Sequence, residues 1–338
     1  MLSCANEQRL FSSYAGNVYE VQGRAERSES GRKCNIQYLE DHEPYQLNIV
    51  DYYINPENSC SVWLKENFEE CFGGRVTEGI FLWPFDYINE QEKAQESSSI
   101  GLIFSKKQFD GTVKAEKVLN EKNVVGLLLP VFRMLEELHK SKIALNGMDL
   151  QQLLYSMEER KVLVPVLHNC IYERGITAQT RLHISDDAKF LYQEKVFSIP
   201  LGSCWRNLPL FQYAYCNDIY SLATILFYVL VGRHPLDGRM CDDQETIDGR
   251  KEIYNQSPCF IFHKKDDRNR IGELEGEDET IRRWENLDSS LKDLFLQLYD
   301  FPKLNNDEME KKIEKMSCFN LGDWIKALEE RAGKRNEQ

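Results

Sequence analysis

The sequence predicts an α+β chain of two lobes, a small β-rich N-terminal lobe with one main helix and a larger helical C-terminal lobe. Three observations carry this. Short stretches of alternating apolar and polar residues, broken by turns, run from residue 8 to about 104. Within that region only 61–72 has helical spacing. From about residue 107 helical spacing takes over and reaches its most apolar point in LATILFYVLV at 222–231.

Taken in order, NVYEVQG at 17–23, KCNIQYL at 33–39 and YQLNIVDYYI at 45–54 read as strands. In SVWLKENFEECF at 61–72, Val62, Lys65, Glu66, Glu69 and Phe72 recur at helical spacing, so one face can pack while the other carries charge. A strand ends in GIFLWPFDYI at 79–88, and a polar turn over NEQEKAQESSS leads into IGLIFS at 100–105. The helical half opens with VVGLLLPVFRMLEELHKSKI at 124–143, where Pro130 is positioned to kink the helix. A strand pair follows, LQQLLYS at 150–156 and VLVPVL at 162–167, joined by the charged turn MEERK. The helix in DIYSLATILFYVLVG stops at Gly232, and amphipathic helices follow in DSSLKDLFLQLYDF and LGDWIKALEERAG. The segment 264–287 is charged enough to be expected as a mobile loop. The lobes divide as 1–104 and 105–338 within one bilobal domain.

Composition narrows the function classes. With 338 residues, 42% of them hydrophobic, the chain can fill a sizeable core. A formal net charge of -13 disfavours nucleic acid and anionic membrane surfaces, and suits a basic peptide or protein partner. The ten cysteines stand singly, with no CxxC pair and no histidine at zinc-ligand spacing, as expected of reduced thiols in a cytoplasmic protein. The opening MLSCANEQRLF has neither the basic start nor the apolar core of a signal peptide. The run LATILFYVLV is far shorter than the roughly 20 residues of a membrane span and reads as a buried helix.

Specific stretches add a resemblance. LEELHKSKIALNGMDLQQLLY at 135–155 resembles the helix, catalytic loop and following strand of protein kinases. YCNDIYSLATILFYVLVGRHPLDGR at 215–239 resembles their central buried helix and its exit. Its GRHPLDGR resembles a form seen in bacterial kinase-like proteins, and FNLGDWIKALEE at 319–330 looks like the closing helix. FLWPFDYI followed by IGLIF resembles the strands leading to the nucleotide hinge, which makes Phe104 a candidate on the nucleotide side. The resemblance implies a protein-kinase-like two-lobed fold over most of the chain, with Asp218 as the acid that braces the catalytic loop.

Kinase chemistry needs a glycine loop over the phosphates, a lysine held by a glutamate, an aspartate that accepts the substrate proton, and an Asn and an Asp that hold magnesium. In FSSYAGNVYEV, Gly16 and Val18 match the last Gly and the Val of the glycine loop, while Phe11 and Ser13 replace the other two glycines; a simple hairpin turn at Gly16 explains the same residues. The lysine falls at Lys33 by spacing, at Gln37 by the pattern NIQYL, or at Asp51 by IVDYY, and only Lys33 keeps the cation. Glu66 or Glu69 stands where the helix glutamate is expected, and either serves equally well as a solvated helix face.

The catalytic loop is the more decisive test. Aligning the LL of QQLLY with the strand after the loop puts Leu145, Asn146 and Gly147 where HRD or HGD is expected, and Gln152 in place of the metal-binding Asn. A second register puts Asp149 at the catalytic position, since MDL resembles RDL, but it moves Leu154 to the Asn position. In either register residues 150–185 contain no aspartate, and Pro165, Val166 and Leu167 stand where DFG is expected. An apolar triplet offers none of the hard oxygen ligands magnesium demands. His139, His168, His183, His234 and His263 are scattered, and neither Ser203 nor Cys204 has a base pattern beside it.

The sequence therefore points to a degenerate member of the bacterial protein-kinase-like family, a pseudokinase. It would act as a scaffold or allosteric regulator of a protein partner such as a phosphatase or another signalling protein. A divergent active kinase or other ATP-using transferase working through Asp149 or Glu173 is the rival, and a nucleotide sensor that binds ATP without magnesium is the third reading.

Overall fold

The computed structural model describes residues 9–11, 16–28, 31–40, 42, 44–53, 79–84, 86–92, 97–166, 171–172, 197–200, 203, 208, 210–272, 276–301 and 316–336. The expected helix at 61–72, with Glu66 and Glu69, lies outside the described residues, as do Ser13, Leu167, His168, His183 and Cys204. The architecture is α+β, a β-sheet region early in the chain and helices later.

The chain forms two compact units, residues 1–113 with 154–193 and residues 114–153 with 194–338. This differs from the contiguous division at 104/105, and the reason is backbone pairing. Strands β1 (Arg9–Phe11), β2 (Val18–Ser28), β3 (Gly31–Tyr38), β4 (Pro44–Tyr53), β5 (Phe81–Leu82), β6 (Asp86–Glu92), β7 (Ser97–Ser105) and β8 (Thr112–Lys114) come first. A later hairpin of β10 (Leu154–Ser156) and β11 (Lys161–Pro165) joins β5 and β8 in a four-stranded sheet of order β5-β11-β10-β8. A strand left out of that sheet would leave a row of amides and carbonyls unpaired, so these residues go with the first unit although they fall late in the chain.

The other sheet of the first unit is antiparallel, of order β1-β2-β3-β4-β7-β6. Its alternation buries Leu10, Tyr19, Val21, Cys34, Ile36, Leu47 and Ile103 on one face. The stretch FLWPFDYI is not one strand: Pro84 follows the short β5, and pairing resumes at Asp86. The polar turn expected over 89–99 is shorter than its composition suggested, because β6 and β7 extend through Glu92 and from Ser97. Cross-strand hydrogen bonding here overrides the weak strand propensity of NEQE and SSS.

In the second unit α1 (Val124–Lys140) runs through Pro130 without a break and is followed by the short strand β9 (Ile143–Ala144). Helix α2 (Leu210–Val231) ends at Gly232, whose φ of +85° and N–H bond to the Tyr228 carbonyl make the left-handed helix stop its sequence announces. Helices α3 (Ile247–Gln256), α4 (Asp278–Glu285), α5 (Ser289–Leu298) and α6 (Leu321–Asn336) follow among the described residues. Helix α4 corrects the expectation of a loop through 264–287: Asp278 and Glu279 sit in its first turn and Arg282 and Arg283 in its last, an arrangement the helix dipole favours. Aromatic rings fill the core around α2, with Phe227 edge-on to Phe260, Phe295 and Tyr299, and Trp324 of α6 stacked on Phe132 of α1. Each buried ring contributes about 1.5–3 kcal/mol of transfer free energy. Among the described residues one helix, Phe211–Val231, is long and apolar enough to cross a membrane, and most of it is buried inside the protein.

Candidate functional site

The loop that follows β9 is held from below by one turn of α2. A helix that is apolar almost all round cannot leave polar side chains without partners, and α2 carries Asn217, Asp218, Ser221 and Thr224 in its buried middle. Three of them reach the loop. Asp218 Oδ2 accepts the backbone N–H of Leu145 at 2.7 Å, and its Oδ1 accepts that of Gly147 at 2.6 Å. Ser221 Oγ accepts the N–H of Met148 at 2.9 Å. Asn217 donates through Nδ2 to the Asn146 carbonyl at 3.1 Å.

His139, near the end of α1, completes the brace. Its Nε2 lies 3.0 Å from Asp218 Oδ2, both side chains are buried, and its ring packs on Tyr215 with centroids 3.9 Å apart. His139 is therefore a structural histidine of the brace. Burial pushes the neighbouring Cys216 thiol well above its ordinary value, with the Cys318 and Asp218 charges acting in the same direction, so Cys216 is an inert core thiol.

The loop itself is conformationally unusual. Asn146 has φ +60° and Gly147 φ +85°, two successive left-handed residues. A Cβ added at Gly147 would lie 2.5 Å from Asn217 Nδ2 and 3.1 Å from its Cγ. The position aligned with a catalytic aspartate thus has no room for a side chain beside Asn217.

Asp149, the acid of the second register, is partly buried and caps the short 3-10 turn Leu150–Gln152 by accepting the Gln151 N–H at 3.1 Å. That turn replaces the first half of the strand expected over 150–156, because an Asp at an N-cap with extended backbone nucleates a helical turn. Gln152 closes the turn, and pairing starts only at Leu154, opposite Leu163. Pro165 ends β11 beside Leu82; the amides on either side of it, Val164 and Val166, donate to Ile80 and Leu82, so the N–H that proline lacks is not needed on that edge.

The glycine and lysine candidates belong to the first unit. Gly16 is exposed at φ +72° in the connection between β1 and β2, the geometry of a hairpin turn, and Val18 begins β2 opposite Phe11. Lys33 stands in β3 opposite Glu26 and Asn48. Phe104 is fully buried in β7, its ring edge-on to Phe109 at 5.7 Å. It lies on the face of β7 opposite the one that carries Ile103.

Two features escaped the sequence. Asp86 is fully buried and accepts from Tyr19 Oη at 3.2 Å and from Asn17 Nδ2 at 3.4 Å, tying the start of β2 to the start of β6. A groove of about 880 Å³ lies beside the end of α2, lined among others by Lys117, Asn120, Glu121, Leu150 and Arg283. At its edge is Tyr228, the one exposed residue among those of α2 whose burial is described.

No protein-family model matches the chain, and no curated protein matches it. Among solved structures it is similar to ROP2 from Toxoplasma gondii, described as a virulence factor with a protein-kinase fold and no enzymatic activity. The similarity covers 92% of this chain and 86% of that one, at 13% identity and a TM-score of 0.47. It says nothing about activity.

Proposed function

We propose that this chain is a pseudokinase, a kinase-like protein that works by binding rather than by phosphoryl transfer. It would serve as a cytoplasmic scaffold or allosteric regulator in bacterial signalling, with a phosphatase or another signalling protein as its partner. The observation that carries the reading is Gly147. The brace from Asp218 is intact, yet the position it presents is a left-handed glycine whose missing side chain would collide with Asn217. A proton acceptor is needed there for transfer to a hydroxyl. The absence of aspartate from residues 150–185 supports the same reading, because it removes the usual magnesium ligand.

Thermal stability with ATP, with and without magnesium, tests it. A ligand at 100 times its dissociation constant adds about 2.7 kcal/mol to the folded state, a shift of several degrees for a chain this size. The expected result is no magnesium-dependent shift. A metal-dependent shift, or phosphoryl transfer that vanishes in Asp149→Asn, overturns the reading in favour of a divergent active kinase. A shift that persists in chelator makes the chain a metal-independent nucleotide sensor.

A further inference from the structure

Asn217 does more than touch the loop. Its Oδ1 accepts the backbone N–H of Ile199 at 2.8 Å, while its Nδ2 donates to the Asn146 carbonyl, so one buried amide holds two chain segments that are far apart in sequence. The orientation of the amide is fixed by its partners: an N–H can only face the oxygen, and a carbonyl can only face the nitrogen. Asn217 is 3% exposed, and Ser198 Oγ lies 3.4 Å from where a Cβ on Gly147 would stand, so the segment and the loop also approach each other directly. Asn146 at φ +60° and Gly147 at φ +85° occupy the left-handed region that asparagine tolerates and glycine enters freely, so the loop turns sharply just where Asn217 holds it.

We propose that Asn217 is a latch that couples the segment 197–199 to the loop 145–148, so that displacing the segment releases the loop and loosening the loop releases the segment. The device is independent of whether the loop performs phosphoryl transfer. It gives a partner that pulls on 197–199 a route to the loop without touching it. Coupling of this kind is reciprocal, which makes it measurable from either end.

Amide hydrogen exchange on the full chain, resolved by residue, reads both ends. Asn217→Leu keeps the volume and removes both hydrogen bonds. The Ile199, Leu145 and Gly147 amides are expected to exchange at least ten times faster, with those of α6 unchanged. Asn217→Asp keeps an acceptor for Ile199 but loses the donor to Asn146, so the loop should loosen more than Ile199. From the other side, Ser221→Ala removes the acceptor for Met148 and is expected to quicken exchange at Ile199, 22 residues before it in sequence, but not to add to the effect of Asn217→Leu. If Ser221→Ala leaves Ile199 unchanged, or if Asn217→Leu frees Ile199 while the loop keeps its protection, Asn217 is two separate hydrogen bonds and the latch is wrong. Should Asn217→Leu not fold, the Ser221→Ala measurement decides alone.

Discussion

Gly16 and Gly147 share a left-handed backbone, at φ +72° and +85°, yet they answer to different forces. Around Gly16 a Cβ would meet nothing within 4 Å, and the turn is set by the β1 and β2 pairing on either side. Gly147 is set by the tertiary structure, with its N–H on Asp218 and its Cβ direction closed by Asn217. The contrast shows that a glycine retained by a motif and a glycine required by packing look alike in sequence and differ in what they cost to change.

Four measurements sharpen that comparison. The largest effect belongs to the brace: Asp218→Ala strands the Leu145 and Gly147 amides and His139 in a buried site, and urea unfolding should show a loss of about 3–5 kcal/mol. An unchanged denaturation midpoint would mean that the loop is held by something else. Next, Gly147→Ala combines left-handed strain with a collision and should cost roughly 2–4 kcal/mol. Gly16→Ala has the strain alone and should cost about 1 kcal/mol. If the two glycine variants cost the same, Asn217 yields easily and the packing argument fails.

The smallest effect belongs to Asp288, a partly buried carboxylate that does for two side chains what Asp218 does for two amides. Arg331 and Lys334 lie 2.6 and 2.7 Å from its oxygens. Burial raises its pKa, but hydrogen bonds from Lys334 and Arg331 outweigh that and hold it below the ordinary carboxylate value. A depressed folded pKa means stability that is present above the unfolded value of about 3.9 and is lost as pH falls through the lower folded one. Asp288→Asn should therefore lie below the parent protein in thermal stability at pH 6, and the gap should close on acidification below about pH 4. A gap that widens in acid would reverse the assigned sign.

The legible parts of this molecule are those fixed by short-range pattern. The apolar run ending at Gly232 marks α2 and the alternation around Val162 and Leu154 marks the hairpin, while Asp218 as a bracing acid came from the resemblance of 215–239 to a kinase helix. Asp149 was visible but ambiguous, because an acid ahead of LQQ is equally a catalytic residue and a cap. The charged 264–287 segment was misjudged because charge balance at helix ends, visible in DETIRRWE, counted for less than total charge.

By itself the sequence determined the α+β class, the buried central helix, and the want of an aspartate through 150–185; each follows from periodicity or composition, which need no knowledge of distant contacts. Only the tertiary structure decided that Gly147 faces Asn217, that Asn217 also holds Ile199, and that the β10 and β11 hairpin belongs with strands early in the chain. Those facts depend on groups brought together from across the sequence by burial and by the demand that every buried polar group find a partner, and no local pattern encodes which partner it will be.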